Sequence, residues 1–249
     1  MSELRRPVPV ILNGPHGAPV TYYTGVRHPI FVSTGIGITP FVSALTSLMR
    51  RWAAYTGAAG AGAPAADEDP DGAAAAYDLE RTRLHRFPDT VDMFWCVRNH
   101  PDLSWFASTW RELDRINGTR RRHGMPPLAR LHLFVTGGID TSQAALQRKV
   151  KDRGGLLGAF LLSIALRHHH KERGFCLLSD SNALTRFGRP NWRQELREVV
   201  DSDGLNEADG GMISAKRMCA FVCGGELLCE AIADGCRRLG LPLRRENFA

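Results

Sequence analysis

Residues 30–41, IFVSTGIGITPF, constrain this chain most, because a short apolar strand here turns into a helix through a glycine-rich bend. Gly35 and Gly37 lack the Cβ that would keep a ligand away from the backbone. Thr39 is predicted to cap the helix and Pro40 to take its first position, so free N–H groups and the positive end of the helix dipole meet there. The segment predicts a site for an anion such as a nucleotide pyrophosphate, although turns of this type also serve simply as connections.

Composition sets the broad class of the protein. With 249 residues, of which 43% are hydrophobic, the chain can bury the core of one large domain or two small ones. A formal charge of +6 favours ligands that carry phosphate, or an anionic membrane surface. The basic clusters at 120–122 and 237–238 contain no interleaved aromatic residues, which argues against a nucleic-acid interface.

Cysteine, histidine and hydropathy patterns exclude several kinds of site. The six cysteines form no CxxC pair, so no structural zinc is expected, and the lack of a secretory signal favours a reducing setting. The histidines at 168–170 are consecutive and cannot all face one ion, so we expect a surface loop there and no metal site. The most apolar stretch, 156–166, is shorter than the ~20 residues that span a bilayer, so no membrane-crossing segment is expected.

Strand and helix patterns alternate along the chain, which predicts a doubly wound α/β fold with a parallel sheet. Residues 57–76 consist mainly of Ala, Gly, Pro and Asp, which bury little apolar area. This stretch is therefore expected to be a flexible insertion. Two segments, 155–167 (helix or buried strand) and 175–179 (short strand or loop), stay open. Strands are predicted at 29–33, 91–97, 131–136 and 218–222. Helices are predicted at 39–55, 141–151, 190–200 and 226–239, and a further helix is predicted to follow the strand at 91–97 and to run through Leu113.

Ligands of doubly wound sheets bind beyond the carboxyl ends of the strands, so the turns after the predicted strands are the candidate sites. Arg98 offers a guanidinium that can pair with a phosphate in a bidentate way, the alternative being an exposed arginine at a helix start. The aspartates at 140 and 180 are expected to cap or form turns, the alternative being contact with a ribose hydroxyl. Trp192 either belongs to the core, which we favour, or stacks on an adenine. The four turns cover residues 34–39, 98–100, 136–138 and 223–225.

Taken in order, these turns resemble the NADPH-binding half of the NADPH oxidase and ferric reductase family, within the ferredoxin reductase superfamily. The resemblance covers most of the chain. It rests on GPHG at 14–17, GIGITPF at 35–41, WCVRN at 95–99 followed by WF at 105–106, GRPNW at 188–192, CGG at 223–225 and ENF at 246–248.

The resemblance implies a role for each matching residue. Arg98 and Arg189 resemble the basic contacts at the adenosine 2′-phosphate, which favours NADPH over NADH. Cys223 is similar to the cysteine beside the nicotinamide C4, with Gly224 in the same cofactor-binding turn. Phe248 resembles the near-terminal aromatic that stacks on the flavin until the nicotinamide displaces it. The residues implied to line the pyrophosphate and nicotinamide are Gly35, Gly37, Ile38, Thr39 and Pro40.

Several positions depart from the family pattern. Ser33 stands where many relatives have the first glycine of the turn, and Gly225 replaces a proline. Ala249 follows Phe248, whereas relatives commonly end on the aromatic residue, which puts flavin stacking in doubt. The insertion at 57–76 is also atypical.

The flavin-binding barrel and the haem-bearing transmembrane helices of the family would precede residue 1. We therefore expect residues 1–27 to be a hinge and the end of a missing flavin domain, and residues 28–249 to be the NADPH-binding domain. The resemblance implies an oxidoreductase at the cytosolic face of a membrane, in which NADPH reduces FAD, and haem passes electrons to oxygen or ferric iron. Alone, the chain is expected to bind NADPH without turnover. The alternatives are a ferric-chelate reductase, a soluble ferredoxin reductase-like module, or a non-catalytic nucleotide-binding domain.

Overall fold

The computed structural model of this chain describes its sheet and the helices packed on it. The described residues are 19–60, 88–137, 161, 164–165, 167–169, 171–172, 176, 178–179, 181–203 and 213–246.

Six strands in the described part of the chain form one all-parallel sheet, which confirms the predicted α/β class. The order across the sheet is β4-β3-β2-β1-β5-β6, so the chain moves outward from β1 in one direction and then crosses to its other side. The switch point between β1 and β5 is where such sheets bind ligands. The strands are β1 His28–Thr34, β2 Val91–Val97, β3 Ala129–Val135, β4 Thr185–Phe187, β5 Met218–Cys223 and β6 Leu243–Arg245.

Helices cover both faces of the sheet, as in a doubly wound fold. On one face Phe31 stacks on Phe41 with ring centroids 4.8 Å apart, and Trp110 is fully buried. On the other face Ile30 and Val32 pack in a second core with α3 and α4. Because both faces are covered, β1 and β2 are continuous apolar runs. The helices are α1 Thr39–Gly60, α2 Ala107–Arg122, α3 Trp192–Ser202 and α4 Glu226–Arg238, with 3-10 turns at Pro19–Gly25, Gly35–Ile38 and His100–Phe106. No described helix has the length and hydropathy that a membrane span requires.

The predicted elements agree with the structure best where strands are long and buried. The strand at 91–97 is confirmed to the residue, and those at 29–33, 131–136 and 218–222 are confirmed within two residues at each end. The helices at 190–200 and 226–239 are confirmed within two residues as well. The three-residue edge strands β4 and β6 were not predicted.

Other expectations need correction or lie outside the described residues. Helix α1 continues to Gly60, so the insertion expected at 57–76 is wrong for residues 57–60. The rest of that insertion lies outside the described residues, and so does the helix expected at 141–151. Described residues of the 155–167 segment are helical, and Leu161 is 56% exposed, which favours the helix over the buried strand. Residues 178–179 form a turn, which favours the loop for 175–179. His168 and His169 are helical, so the expected loop is wrong there.

A fully buried carboxylate, Asp92, lies near the amino edge of the sheet, opposite the switch point. It accepts hydrogen bonds from His28 Nε2 and His132 Nε2, each at 2.6 Å, and from Arg130 Nε and Nη2 at 3.0 and 2.6 Å. Burial by itself acts to raise the pKa of Asp92, but the hydrogen bonds from His132 and His28 and the nearby positive charges outweigh it and hold that pKa well below its usual range. This network ties β1, β2 and β3 together.

Residues before β1 pack on the same core. Val20 and Tyr23 are buried, and the Tyr23 ring meets Phe31 edge-on at 6.0 Å. The backbone N–H of Val20 donates to Glu246 Oε2 at 2.8 Å, joining this segment to the residue after β6. The expected domain boundary at residue 27 stays a prediction.

Candidate functional site

The turns that follow β1 and β5 touch each other at the carboxyl edge of the sheet. Ser33 pairs in register with Cys223, and a Cβ on Gly37 would lie 2.5 Å from the Cys223 carbonyl oxygen. On the other side, a Cβ on Gly224 would lie 2.5 Å from Thr34 Oγ1. These two glycines are therefore required by the contact between the turns. The space beside Gly37 is occupied by protein, so its missing Cβ serves the contact between the turns, and the role of Gly37 in binding a ligand stays a prediction.

Gly35 lies where the turn after β1 is open to solvent. It has a φ of 51°, and a Cβ there would meet nothing within 4 Å. Its carbonyl oxygen accepts a hydrogen bond from the buried Trp95 indole Nε1 at 3.0 Å. The neighbouring strand β2 thus fixes the turn, while Gly35 leaves the space in front of the backbone free.

The start of α1 differs from the sequence prediction. The 3-10 turn Gly35–Ile38 precedes α1, and Thr39 already has helical angles of −53° and −46°. Its hydroxyl donates to the Ile36 carbonyl oxygen at 2.7 Å, so the prediction that Thr39 is the N-cap, and that Pro40 is the first helical residue, is wrong. Helical backbone therefore begins one turn earlier, at Gly35, and the accessible N–H groups at this helical start belong to Gly35 and Ile36. Ile38 as a whole is fully buried in the aromatic core, so in this structure it supports the turn from beneath.

Cys223 ends β5 with its side chain at the junction of the two turns. It is fully buried, and its Sγ would lie 3.5 Å from a Cβ on Gly37. Burial, followed by the charges of Glu246 and Cys229, raises the pKa of the Cys223 thiol to about 11. The side chain is therefore a neutral thiol near pH 7, unsuited to nucleophilic attack, and it lies beneath the surface of the turn.

The two predicted arginines lie on the same edge, further along the sheet. Arg98 follows β2 and is exposed, and its backbone carbonyl accepts a hydrogen bond from Gly137 N–H at 2.9 Å. Arg189 follows β4 and is also exposed. Since β3 separates their strands, two inter-strand spacings, about 10 Å, lie between the two loops. A row of turns thus runs from the switch point to the β4 edge.

Every predicted site residue in the described part of the chain lies on this carboxyl edge. Phe248 lies outside the described residues, as do the aspartates at 140 and 180. The half-buried Trp192 ring packs edge-on against Phe94 with centroids 5.9 Å apart, which favours the core interpretation over adenine stacking.

Sequence reasoning missed an apolar rim and an ion pair at this edge. Ile36, Trp105 and Leu227 are 64%, 52% and 83% exposed, and each lies in a turn or first helical turn after β1, β2 or β5. For Ile36 and Leu227 the available signal was a large apolar residue within or next to a glycine-rich turn. Arg186 and Glu195 form a bidentate ion pair between β4 and α3, which was not predicted because β4 itself was not.

Comparison with known proteins identifies the family. The family model described as the ferric reductase NAD binding domain matches residues 27–236. The chain belongs to this family.

Curated relatives of this ferric reductase NAD-binding domain are oxidases. It is 22% identical to the putative respiratory burst oxidase homolog protein H of Arabidopsis thaliana, over 96% of this chain and 24% of the relative. It is 22% identical to human NADPH oxidase 5, over 95% of this chain and 26% of the relative. The same identity and coverages hold for a superoxide-generating NADPH oxidase heavy chain of Dictyostelium discoideum. The chain thus spans about a quarter of the length of these relatives.

Proposed function

We propose that this chain is the NADPH-binding module of a membrane flavocytochrome oxidoreductase of the NADPH oxidase type. The observation that carries the proposal is the contact between the Gly37 and Cys223 turns at the switch point of the sheet. That position combines the backbone at the start of the 3-10 turn before α1 with the half-buried Gly224, which follows a buried, neutral thiol. A pyrophosphate fits against the first feature and a nicotinamide ring fits against the second.

The chain's own residues would bind and orient the dinucleotide. The accessible start of the Gly35–Ile38 turn would hold the pyrophosphate. Gly224, with the buried Cys223 beneath it, would lie on one side of the nicotinamide so that the other face of the ring stays open. Arg98 and Arg189 would contact the 2′-phosphate at the adenosine end. FAD, when bound by the rest of the complete protein, supplies the acceptor for the hydride that leaves the nicotinamide C4. No general acid or base of this chain is required, because a hydride transfer moves no separate proton.

The names of the relatives favour oxygen as the final acceptor. The Dictyostelium relative is named as superoxide-generating, while the family description names ferric reductases. In the complete protein, with its flavin and haem domains, superoxide formation that exceeds reduction of a ferric chelate would support the oxidase, and the opposite ratio would support a ferric reductase. The isolated chain is expected to bind NADPH without oxidising it, and Phe248 is proposed to shield the flavin in the complete protein.

Calorimetry with NADPH and NADH tests the assignment of Arg98. A charge-assisted hydrogen bond contributes about 1.5–3 kcal/mol, so Arg98→Ala should weaken NADPH binding by about tenfold to a hundredfold and leave NADH binding unchanged. The matched control is Arg121→Ala, which removes the same charge from an exposed residue at the far end of α2. Equal loss in both variants would show a general effect of charge, and equal affinity of the native chain for the two dinucleotides would refute the 2′-phosphate site. A chain that binds neither dinucleotide would contradict the proposed function itself.

A further inference from the structure

The Arg186–Glu195 ion pair joins the two ends of the loop that carries Arg189. Arg186 lies in the edge strand β4, and Glu195 lies in the first turn of α3. Arg186 Nη1 and Nη2 meet Glu195 Oε1 and Oε2 at 2.7 and 2.8 Å, so the guanidinium and the carboxylate are paired through both forks. The side chains are 31% and 12% exposed, which screens this pair less than a fully exposed one.

Arg186 is held by the sheet as well as by Glu195. Its guanidinium carbon lies 4.1 Å from the centroid of the Phe134 ring in β3, a stacked cation–π geometry. The negative Glu195 carboxylate in the first turn of α3 also complements the helix dipole. The pair therefore fixes the start of α3 against β3 and β4.

The loop between these residues has further backbone anchors. Gly188 has a φ of 99°, and its N–H donates to the Val135 carbonyl oxygen at 2.9 Å. At the other end, Asn191 caps α3 by accepting from Gln194 N–H at 3.4 Å. Arg189 lies between the two anchors with its side chain exposed. Arg186 is paired with Glu195, whereas Arg189 is the one arginine of residues 188–191 and its exposed guanidinium can contact a ligand.

We propose that Arg186 and Glu195 are positioning residues that set the preference for NADPH over NADH by fixing the loop that carries Arg189. This inference rests on the proposed function, in which Arg189 contacts the 2′-phosphate. A three-residue edge strand makes few backbone hydrogen bonds to its neighbour, so β4 by itself holds the following loop weakly. The bidentate ion pair adds a side-chain connection between β4 and α3 that restrains this loop. If the pair is broken, Arg189 remains present but samples positions from which it does not reach the phosphate.

The test measures the Kd of NADPH and of NADH by calorimetry on the full chain and four variants: Glu195→Gln, Arg186→Lys, Arg189→Ala and the double variant Glu195→Gln/Arg189→Ala. Glu195→Gln should reduce the ratio of the two affinities by about three- to tenfold through the Kd of NADPH alone. Arg186→Lys keeps the charge but loses the planar fork and the stacking on Phe134, so it should shift the ratio in the same direction. In the Arg189→Ala background, Glu195→Gln should cause no further change.

The control for loss of an ion pair is Asp234→Asn, which breaks the 2.9 Å contact with Arg238 on the surface of α4 and should leave the ratio unchanged. Melting curves identify any variant that fails to fold. If Glu195→Gln does not fold, the affinity ratio of Arg186→Lys tests the positioning role in its place. If the native chain prefers NADPH and Arg189→Ala removes the preference, but neither Glu195→Gln nor Arg186→Lys alters it, the positioning role is overturned and the proposed function stands. A proportional loss for both dinucleotides, or an effect of Glu195→Gln that persists without Arg189, would also overturn the positioning role. A native chain without preference would instead overturn the 2′-phosphate site.

Discussion

Replacing Gly37 with alanine tests the contact on which the proposed site depends. The added Cβ would lie 2.5 Å from the Cys223 carbonyl oxygen, whereas real Cβ contacts essentially never fall below 3.0 Å and are ordinary from 3.4 Å. The two turns would therefore have to separate by 0.5–0.9 Å, the difference between those distances. Both partners are backbone, so no rotamer change relieves the overlap. Overpacking of this kind costs about 1–3 kcal/mol, which corresponds to a fall in Tm of about 2–12 °C for a domain of this size.

Binding should suffer along with stability. A displacement of this size moves the N–H groups of Gly35–Ile38 out of hydrogen-bonding range of a bound pyrophosphate, and we expect at least about a tenfold loss in NADPH affinity. Scanning fluorimetry and calorimetry measure the two effects. The control is Gly118→Ala inside α2, where a Cβ meets nothing within 4 Å, and it should raise stability by about 0.5–1 kcal/mol without changing NADPH binding. A Gly37→Ala protein that melts and binds like the native chain would refute the contact between the turns.

Two further predictions concern stability and thiol chemistry. Asp92→Asn should destabilise the fold by about 3–5 kcal/mol near pH 7, because it leaves the positive charge of Arg130 without its buried carboxylate. The folded pKa of Asp92 lies below its ordinary value of 3.8, so the stability that its charged form contributes is present above that pH and is lost as the pH falls through the folded pKa. The Tm difference between variant and native chain should therefore narrow as the pH falls from 5 towards 3, and a difference that grows over that range would contradict the charge network. Iodoacetamide at pH 8, followed by peptide mapping, should label Cys223 only after unfolding, because a thiol with a pKa of about 11 is only about 0.1% thiolate there; rapid labelling of the native chain would show an accessible thiolate.

How far the sequence predicted the fold depended on the length and burial of each element. The strand at 91–97 was found to the residue because all seven positions are buried. The edge strands β4 and β6 were missed because each is three residues long and carries arginines, so neither shows apolar alternation. The error at Thr39 has a related cause. A 3-10 turn before a helix leaves no periodic pattern in four residues, so the sequence did not show that helical backbone already begins at Gly35.

The site was predictable as a set of turns, but its contacts were not. Motif order placed Gly37, Arg98 and Cys223 on one edge, since carboxyl ends of parallel strands share that edge. Which turns touch depends on the strand order, and the β1–β5 adjacency arises from a crossover that periodicity does not encode. One signal was available and unused. Asp92 is a charge inside an otherwise apolar strand, and such a residue requires buried partners, which His28, Arg130 and His132 supply.

The two edges of the sheet divide stability from binding. At the amino edge, Asp92 has its hydrogen bonds satisfied by three neighbouring side chains, so this carboxylate holds three strands together and has no role left for a ligand. At the carboxyl edge, Gly37 lets one turn approach the backbone of another, and the large apolar side chains of Ile36 and Leu227 are exposed beside them. Asp92→Asn and Gly37→Ala should therefore both lower Tm, yet only Gly37→Ala should change the NADPH affinity of the protein that remains folded. A loss of NADPH affinity in Gly37→Ala but not in Asp92→Asn would show that binding depends on the contact between the two turns and not on the overall stability of the domain.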